Sequence, residues 1–184
     1  MISQPEKEQN AEDKEIIIIV NEKNDIIGQS KRKEMRQQKL IHRATYIFVL
    51  QTKTNKLFIH KRSQEKRYCP GYFDACFGGV VAINETYESN ATKEIHEEIG
   101  LQNVNIIPKN EFYYEDQISK IWGKIFFLYF DGEANQLTPQ IEEVEYIDLK
   151  EIKDILVSND KWTPDGMHAL KLFIEQMPEL KQYQ

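Results

Sequence analysis

The chain has 184 residues and a formal net charge of −6 at pH 7, with 24 Lys and Arg against 30 Asp and Glu. This length predicts one domain with short appended segments, and the pI near 5.4 argues against a protein that binds nucleic acid by neutralising many phosphates. The mean hydropathy of −0.61, without a long apolar run, excludes a membrane span, and two cysteines are too few for a disulfide framework. We therefore expect a cytoplasmic protein, with an organellar location left open.

The first third of the chain predicts a polar tail followed mainly by strands. Residues 1–14 carry almost no large apolar groups and are expected to be disordered. The β-branched run EIIIIV and the segment IIGQ flank the turn-forming NEKND, which indicates paired strands. A short helix is expected over SKRKEMRQQ, capped by Ser30, and ATYIFVL with KLFIHKR predicts a hairpin.

The remainder predicts one central helix between strands, followed by two helices. After the loop SQEKRYCPGYFDACFGG, a helix is expected from Thr86 to Ile99, with Thr86 or Asn84 as its cap and Gly100 as its stop. Strand-like runs follow at VNIIP, EFYYED, KIWGKIFFLYF and VEYIDL, and helical patterns at LKEIKDIL and WTPDGMHALKLFIEQM. The order indicates a single α/β (α+β) domain with a mixed sheet over residues 15–184.

Three carboxylates share one face of the central helix. Glu94, Glu97 and Glu98 lie at positions i, i+3 and i+4, where like charges repel. A hard divalent cation prefers oxygen ligands of this kind and would relieve the repulsion. A glutamate-rich, solvated helix face is the alternative interpretation of these residues alone.

The spacing around these glutamates resembles the Nudix box, Gly-x5-Glu-x7-Arg-Glu-U-x-Glu-Glu-x-Gly-U, where U is a bulky aliphatic residue. The chain reads GVVAINETYESNATKEIHEEIGL from Gly79, so all six fixed Gly and Glu positions match. With each residue type at roughly 7% usage, six such matches arise by chance about once in 10^7 windows. One position departs, because Lys93 stands where the family has arginine and lacks the bidentate guanidinium fork.

The resemblance extends to the flanking segments. KLFIHKRS, CPGYFDACFGG, HRATYIFVL and the EFYYED and KIWGKIFFLYF pair look like the branch of Nudix hydrolases related to isopentenyl-diphosphate isomerase. The resemblance implies a Nudix-type α/β/α sandwich with a mixed sheet. The activity it implies is hydrolysis of a diphosphate joined to another group, usually nucleoside-like, with Mg²⁺ or Mn²⁺ as cofactor.

The box also implies roles for individual residues. Glu94, Glu97 and Glu98 carry over as metal ligands and catalytic residues, one of them doubling as the base, and the Gly78 carbonyl as a further ligand. Supporting positions are Gly79, Glu85, Lys93 and Gly100. A further carboxylate from another loop is common in the family, and the candidates are Glu115, Glu142 and Glu143, with solvated charges as the alternative.

The residues that are candidates for contacting the substrate have less support from the sequence than the box residues. Lys61 and Arg62, at a strand end, are candidates for binding phosphate oxygens, and Glu143 is included with them. Tyr72 and Phe73 are candidates for stacking on a base or covering a prenyl chain, although aromatic residues at strand spacing also serve as core. The expected partner is a small-molecule diphosphate, while the oligomeric state stays open.

Two other functions stay open. The first is isomerase activity, although that enzyme's catalytic cysteine and metal-binding histidine would fall at Gly78 and Val80; Cys76 is offset by two positions and is interpreted as a buried small residue. His42 alone matches one of the isomerase's metal histidines. The second is a catalytically weak Nudix module that acts as a binding or complex subunit, because a fold alone does not establish function.

Overall fold

The computed structural model describes residues 12–140 and 142–183. Most of the expected disordered tail, residues 1–11, lies outside the described part of the chain, whereas residues 12–14 form a helical turn. The elements in chain order are β1 (Ile16–Val20), β2 (Ile26–Lys31), α1 (Arg32–Gln38), β3 (His42–Gln51), β4 (Leu57–Arg62), β5 (Phe73–Asp74), α2 (Tyr87–Ile99), β6 (Ile107–Glu115), β7 (Lys120–Phe130), β8 (Val144–Lys150), α3 (Ile152–Val157) and α4 (Pro164–Gln176). Short 3-10 turns span Ala134–Gln136 and Pro178–Tyr183.

The sheet is mixed and is organised around β3. This strand runs parallel to β7 from His42↔Ile121 to Gln51↔Phe130, and β7 also pairs antiparallel with β6. The expected hairpin of β3 and β4 is confirmed, but its pairing is short, Val49↔Phe58 and Leu50↔Leu57. Nearer the N-terminal end of β3, the loop before α2 pairs with β3 in place of β4, through the bridges Ile47↔Phe77 and Ala44↔Val80. The box loop is thereby fixed against the central strand.

Helices cover both faces of the sheet. Side chains of β3 alternate, so that Phe48 lies in the cluster with α4 and Ile47 in the cluster with α2. On the α4 side, Phe48 stacks on Phe173 with ring centroids 4.5 Å apart. On the α2 side, Ile95 and Ile99 are buried. The observed architecture is the expected α/β/α sandwich.

Local expectations differ from the structure in three places. Ser30 does not cap α1, because it lies in β2 opposite Ile17, and Lys31 is the N-cap without a side-chain hydrogen bond. VNIIP and EFYYED do not form separate strands; the second half of VNIIP joins EFYYED in β6, which has an irregular register between Pro108 and Glu111, as expected where a proline cannot donate. The long loop contains β5, which pairs with β4. No helix within residues 12–140 and 142–183 is both long and apolar enough to cross a bilayer.

Candidate functional site

Helix α2 is fixed at both ends by local sequence. Thr86 accepts a hydrogen bond from the Ser89 N–H over 3.1 Å, and the Ser89 hydroxyl accepts one from the Thr86 N–H over 2.8 Å, which forms a reciprocal cap. At the other end Gly100 has φ +75° and its N–H donates to the His96 carbonyl, a conformation that glycine adopts without strain. The expected cap and stop are confirmed.

The structure buries two of the three predicted glutamates and adds a third from a distant loop. Glu94 and Glu98 are 9% and 3% exposed, and their carboxylates form a group with that of Glu143, with one oxygen of each lying within 4.8 Å of the others. Glu97 lies outside this group. Its side chain is 48% exposed and lines the same cleft.

Backbone contacts bring Glu143 to the helix. The Gln140 N–H donates to the Glu98 carbonyl over 3.2 Å, and the Ser63 N–H donates to the Glu143 carbonyl over 2.9 Å. The segment before β8 is therefore held between the end of α2 and the loop after β4. Of the other two candidates, Glu115 is exposed and pairs with Lys120, and Glu142 is exposed and lines the cleft.

Two glycines allow the box loop to approach these carboxylates. The Gly78 N–H donates to Glu98 Oε2 over 2.9 Å, and Gly78 has φ +135°, a region that side chains disfavour. A β-carbon added at Gly79 would lie 2.6 Å from Glu94 Oε1. Both positions therefore require glycine for the observed packing.

A buried asparagine that sequence reasoning missed connects the box. Asn90 is fully buried, and its Nδ2 donates to Glu85 Oε2 over 2.8 Å and to Glu94 Oε1 over 3.3 Å. Its Oδ1 accepts from the Thr45 hydroxyl over 2.6 Å. Asn90 therefore holds Glu85 and Glu94 at a fixed separation and anchors both to β3.

Lys93 spans three glutamates. Its Nζ lies 3.2 Å from Glu85, 3.8 Å from Glu97 and 4.0 Å from Glu94. Burial lowers the pKa of Lys93, but Glu94, Glu85 and Glu97 raise it, and the net direction is upward. The expected i,i+4 contact with Glu97 is present, and the contact with Glu85 is shorter.

The buried carboxylates are electrostatically unfavourable as anions. Burial raises the pKa of Glu94, and proximity to Glu143 adds to this effect while Lys93 opposes it. Burial also raises the pKa of Glu98, well above its usual range, with further contributions from Glu94 and Glu143. Clustered, buried carboxylate oxygens of this kind fit a hard divalent cation such as Mg²⁺ or Mn²⁺, which prefers oxygen ligands.

Glu94, Glu97 and Glu143 line a cleft of about 1000 Å³, and the Glu98 carboxylate lies beside those of Glu94 and Glu143. Six basic side chains line it, those of Arg32, Arg36, Arg62, Lys66, Arg67 and Lys93. Of the predicted substrate contacts, Arg62 and Glu143 line the cleft, while Lys61, Tyr72 and Phe73 are not among its lining residues. Lys61 pairs with Glu145, and Phe73 packs on Tyr146 and Trp162.

The two histidines and the cysteine that line the cleft are buried, which disfavours their charged forms. Burial lowers the pKa of His42 to about 4 and that of His60 well below its usual range. Cys76 is buried, as expected, and its Sγ lies 3.4 Å from Asp74 Oδ1. Burial raises the pKa of this thiol, which disfavours a reactive thiolate.

Residues 40–166 match the NUDIX domain family. The chain belongs to the Nudix hydrolase family. It is 37% identical over 160 residues to "Uncharacterized Nudix hydrolase YfcD" of Salmonella typhi, covering 87% of this chain and 85% of that protein. It is 35% identical over 162 residues to the protein of the same name from Escherichia coli K12, covering 88% of each. These matches show that the chain belongs to the Nudix superfamily, but they do not assign it to the branch related to isopentenyl-diphosphate isomerase.

Solved structures share the fold of this Nudix protein. The crystal structure of DR0079 from Deinococcus radiodurans has a TM-score of 0.72 at 19% identity, covering 86% of this chain and 98% of that one. The Escherichia coli dihydroneopterin triphosphate pyrophosphohydrolase has a TM-score of 0.57 at 15% identity, covering 73% and 96%. At these identities the similarity establishes architecture, and the predicted fold class is confirmed.

Proposed function

We propose that the protein hydrolyses a diphosphate linkage in a nucleoside-diphosphate-like or related small molecule, with Mg²⁺ or Mn²⁺ as cofactor. The observation that supports this most directly is the group formed by buried Glu94 and Glu98 with half-buried Glu143. Glu94 and Glu143 line a cleft that also carries basic side chains. Carboxylates bind a hard cation, and arginine and lysine bind phosphate oxygens. A cation and a diphosphate would therefore meet in one cleft.

In this proposal Glu94, Glu98 and Glu143, with the Gly78 carbonyl, would hold the cation, which when bound offsets phosphate charge and lowers the pKa of a coordinated water. Glu97 is half exposed in the cleft, so its carboxylate can accept a proton from water or complete the ligand set. Asn90 and Glu85 hold Glu94 and Lys93 in place. Lys93 limits the repulsion among the glutamates around it.

The substrate would lie with its phosphates against the basic residues. Arg62 and Lys66 line the cleft, and Lys66 Nζ lies 3.2 Å from Glu143. Tyr68, Ile118 and Ile121 also line it and are proposed to contact the non-phosphate part. We extend the proposal to a cytoplasmic location.

We do not propose isomerase activity. Gly78 and Val80 occupy the positions of that enzyme's cysteine and histidine, and neither can supply a thiol or an imidazole. The nearby Cys76 thiol is buried beside Asp74. A proton relay through sulfur would need an accessible thiolate.

The test is release of phosphate or nucleotide from a panel of nucleotide and isoprenoid diphosphates, with and without Mg²⁺. We expect Mg²⁺-dependent release from at least one compound, and a fall of about 100-fold or more in Glu98→Gln, because a cation ligand is lost. Glu88→Gln is the matched control, since Glu88 lies on α2 but pairs with Lys124 outside the cleft. No release from any compound, with no effect of Mg²⁺ on Tm, would instead indicate a binding module.

A further inference from the structure

Three arginines form a cluster at one part of the cleft. Arg32 and Arg36 project from α1, and Arg67 comes from the loop after β4; all three line the cleft. Two of the clustered carboxylates, those of Glu94 and Glu143, line the same cleft. The two groups of opposite charge therefore belong to one electrostatic environment.

Two consecutive carboxylates from the N-terminal turn occupy the arginine cluster. Glu12 pairs with Arg32 over 3.1 Å and also with Arg36. Asp13 pairs with Arg36 over 2.9 Å and with Arg67 over 3.4 Å. The two acidic side chains are 20% and 16% exposed, so these pairs are largely shielded from water.

An arginine cluster that pairs with two adjacent carboxylates carries the donor groups needed to bind two adjacent phosphate groups. Guanidinium groups bind carboxylate and phosphate oxygens with the same forked geometry. Burial raises the pKa of Glu12, but Arg32, Lys66 and Arg36 lower it, and the net direction is downward. Glu12 is therefore held as an anion, as a phosphate would be.

We propose that the Glu12–Asp13 turn is an internal competitor for this arginine cluster, which binds the outer anionic group of a diphosphate ligand once the turn is displaced. The ligand class rests on the proposed function, but occupation of the arginines by Glu12 and Asp13 does not. Removing the two carboxylates would leave Arg36 and Arg67 without these ion-pair partners, while Arg32 would keep its pair with Glu15 over 2.8 Å. The cluster would then favour an external anion. The N-terminal turn would thus set the affinity for phosphate.

Binding of inorganic pyrophosphate without divalent cation tests the proposal independently of catalysis. We expect the double variant E12Q/D13N to bind pyrophosphate about tenfold more tightly by calorimetry, equivalent to about 1.4 kcal/mol, and Arg36→Ala to bind it more weakly than the native chain. The control D131N/E179Q removes the same charge at residues that do not line the cleft, and its affinity should change less. Unchanged or weaker binding in E12Q/D13N at native Tm would overturn the proposal.

Limited proteolysis of the native chain gives a second test that needs no variant. Lys14 is exposed and directly follows the acidic pair. If pyrophosphate displaces the turn, trypsin should cleave after Lys14 severalfold faster with pyrophosphate than with chloride at equal ionic strength. An equal or slower rate would show that the ion pairs only anchor the chain. Pyrophosphate binding without hydrolysis of any diphosphate would refute the proposed function and leave this inference standing.

Discussion

A β-carbon at Gly79 would lie 2.6 Å from Oε1 of Glu94. Because the clash is with the end of a side chain, Gly79→Ala should fold with a loss of about 1 kcal/mol but push the Glu94 carboxylate out of its group. We expect cation affinity and hydrolysis to fall about tenfold or more, measured by calorimetry and phosphate release. Gly28→Ala is the control, since no atom lies within 4 Å of its added carbon. Equal cation affinity in both variants would contradict this account.

Glu98→Gln should separate stability from activity. Glutamine can still accept from the Gly78 N–H, which now lies 2.9 Å from Glu98 Oε2, and it removes a buried charge next to Glu94 and Glu143. The cation-free variant should therefore melt at or above the native Tm at pH 8, although it hydrolyses substrate poorly. A large loss of stability would show that the ionised carboxylate supports the fold.

The raised pKa values of Glu94 and Glu98 predict how stability depends on pH. A carboxyl whose pKa is higher folded than unfolded binds more protons in the folded state, so stability falls as pH rises above about 4.5 and through the folded pKa. The cation-free protein should thus melt at a lower temperature at pH 8 than at pH 6. Mg²⁺ should raise Tm more at pH 8, because protons compete with it less. Scanning calorimetry at both pH values measures this, and an equal Mg²⁺ effect would argue against these ligands.

Asn90→Ala should weaken both fold and catalysis. The substitution removes the donors to Glu85 and Glu94 and the acceptor that lies 2.6 Å from the Thr45 hydroxyl, which costs about 2 kcal/mol or more. Urea denaturation and kcat report the two effects. Asn84→Ala, at an exposed residue before α2, is the control; a similar change in both variants would show that Asn90 has no special role.

Lys93→Arg should preserve or raise turnover. Lys93 already reaches Glu85 and Glu97, and a guanidinium can make two parallel hydrogen bonds where the ammonium makes one. Lys93→Met, which keeps the side-chain length without the charge, should lower kcat instead. If arginine lowered kcat as strongly as methionine, the site would depend on the ammonium itself.

Local sequence signals were sufficient for the elements that carry the box. Thr86 and Gly100 delimit α2 as expected, because capping depends on residues a few positions apart. Ser30 failed as a cap because β2 continues directly into α1, and pairing with β1 overrides the local preference. The prediction of the fold rested more on the resemblance to the Nudix family than on the predictions of individual helices and strands.

The site required contacts that a sequence does not display. Glu143 joins Glu94 and Glu98 only because the segment before β8 packs on the end of α2. Glu143 is 45 residues from Glu98 in the chain, so the sequence could not distinguish it from Glu115 and Glu142 as the further carboxylate. Asn90 lies within the box, but polar residues on helices are usually exposed, so nothing marked it as buried. The arginine cluster depends on the fold of the N-terminal segment against the cleft.

Calorimetric titration with Mg²⁺ in two buffers of different ionisation enthalpy measures whether the group of Glu94, Glu98 and Glu143 binds a cation. We expect saturable binding with release of protons at pH 7, because burial raises the pKa of the Glu94 and Glu98 carboxyls and a bound cation displaces protons from them. We also expect loss of both signals in Glu98→Gln. Heats no larger than the heat of dilution, or identical binding in Glu98→Gln, would contradict a cation site at these carboxylates.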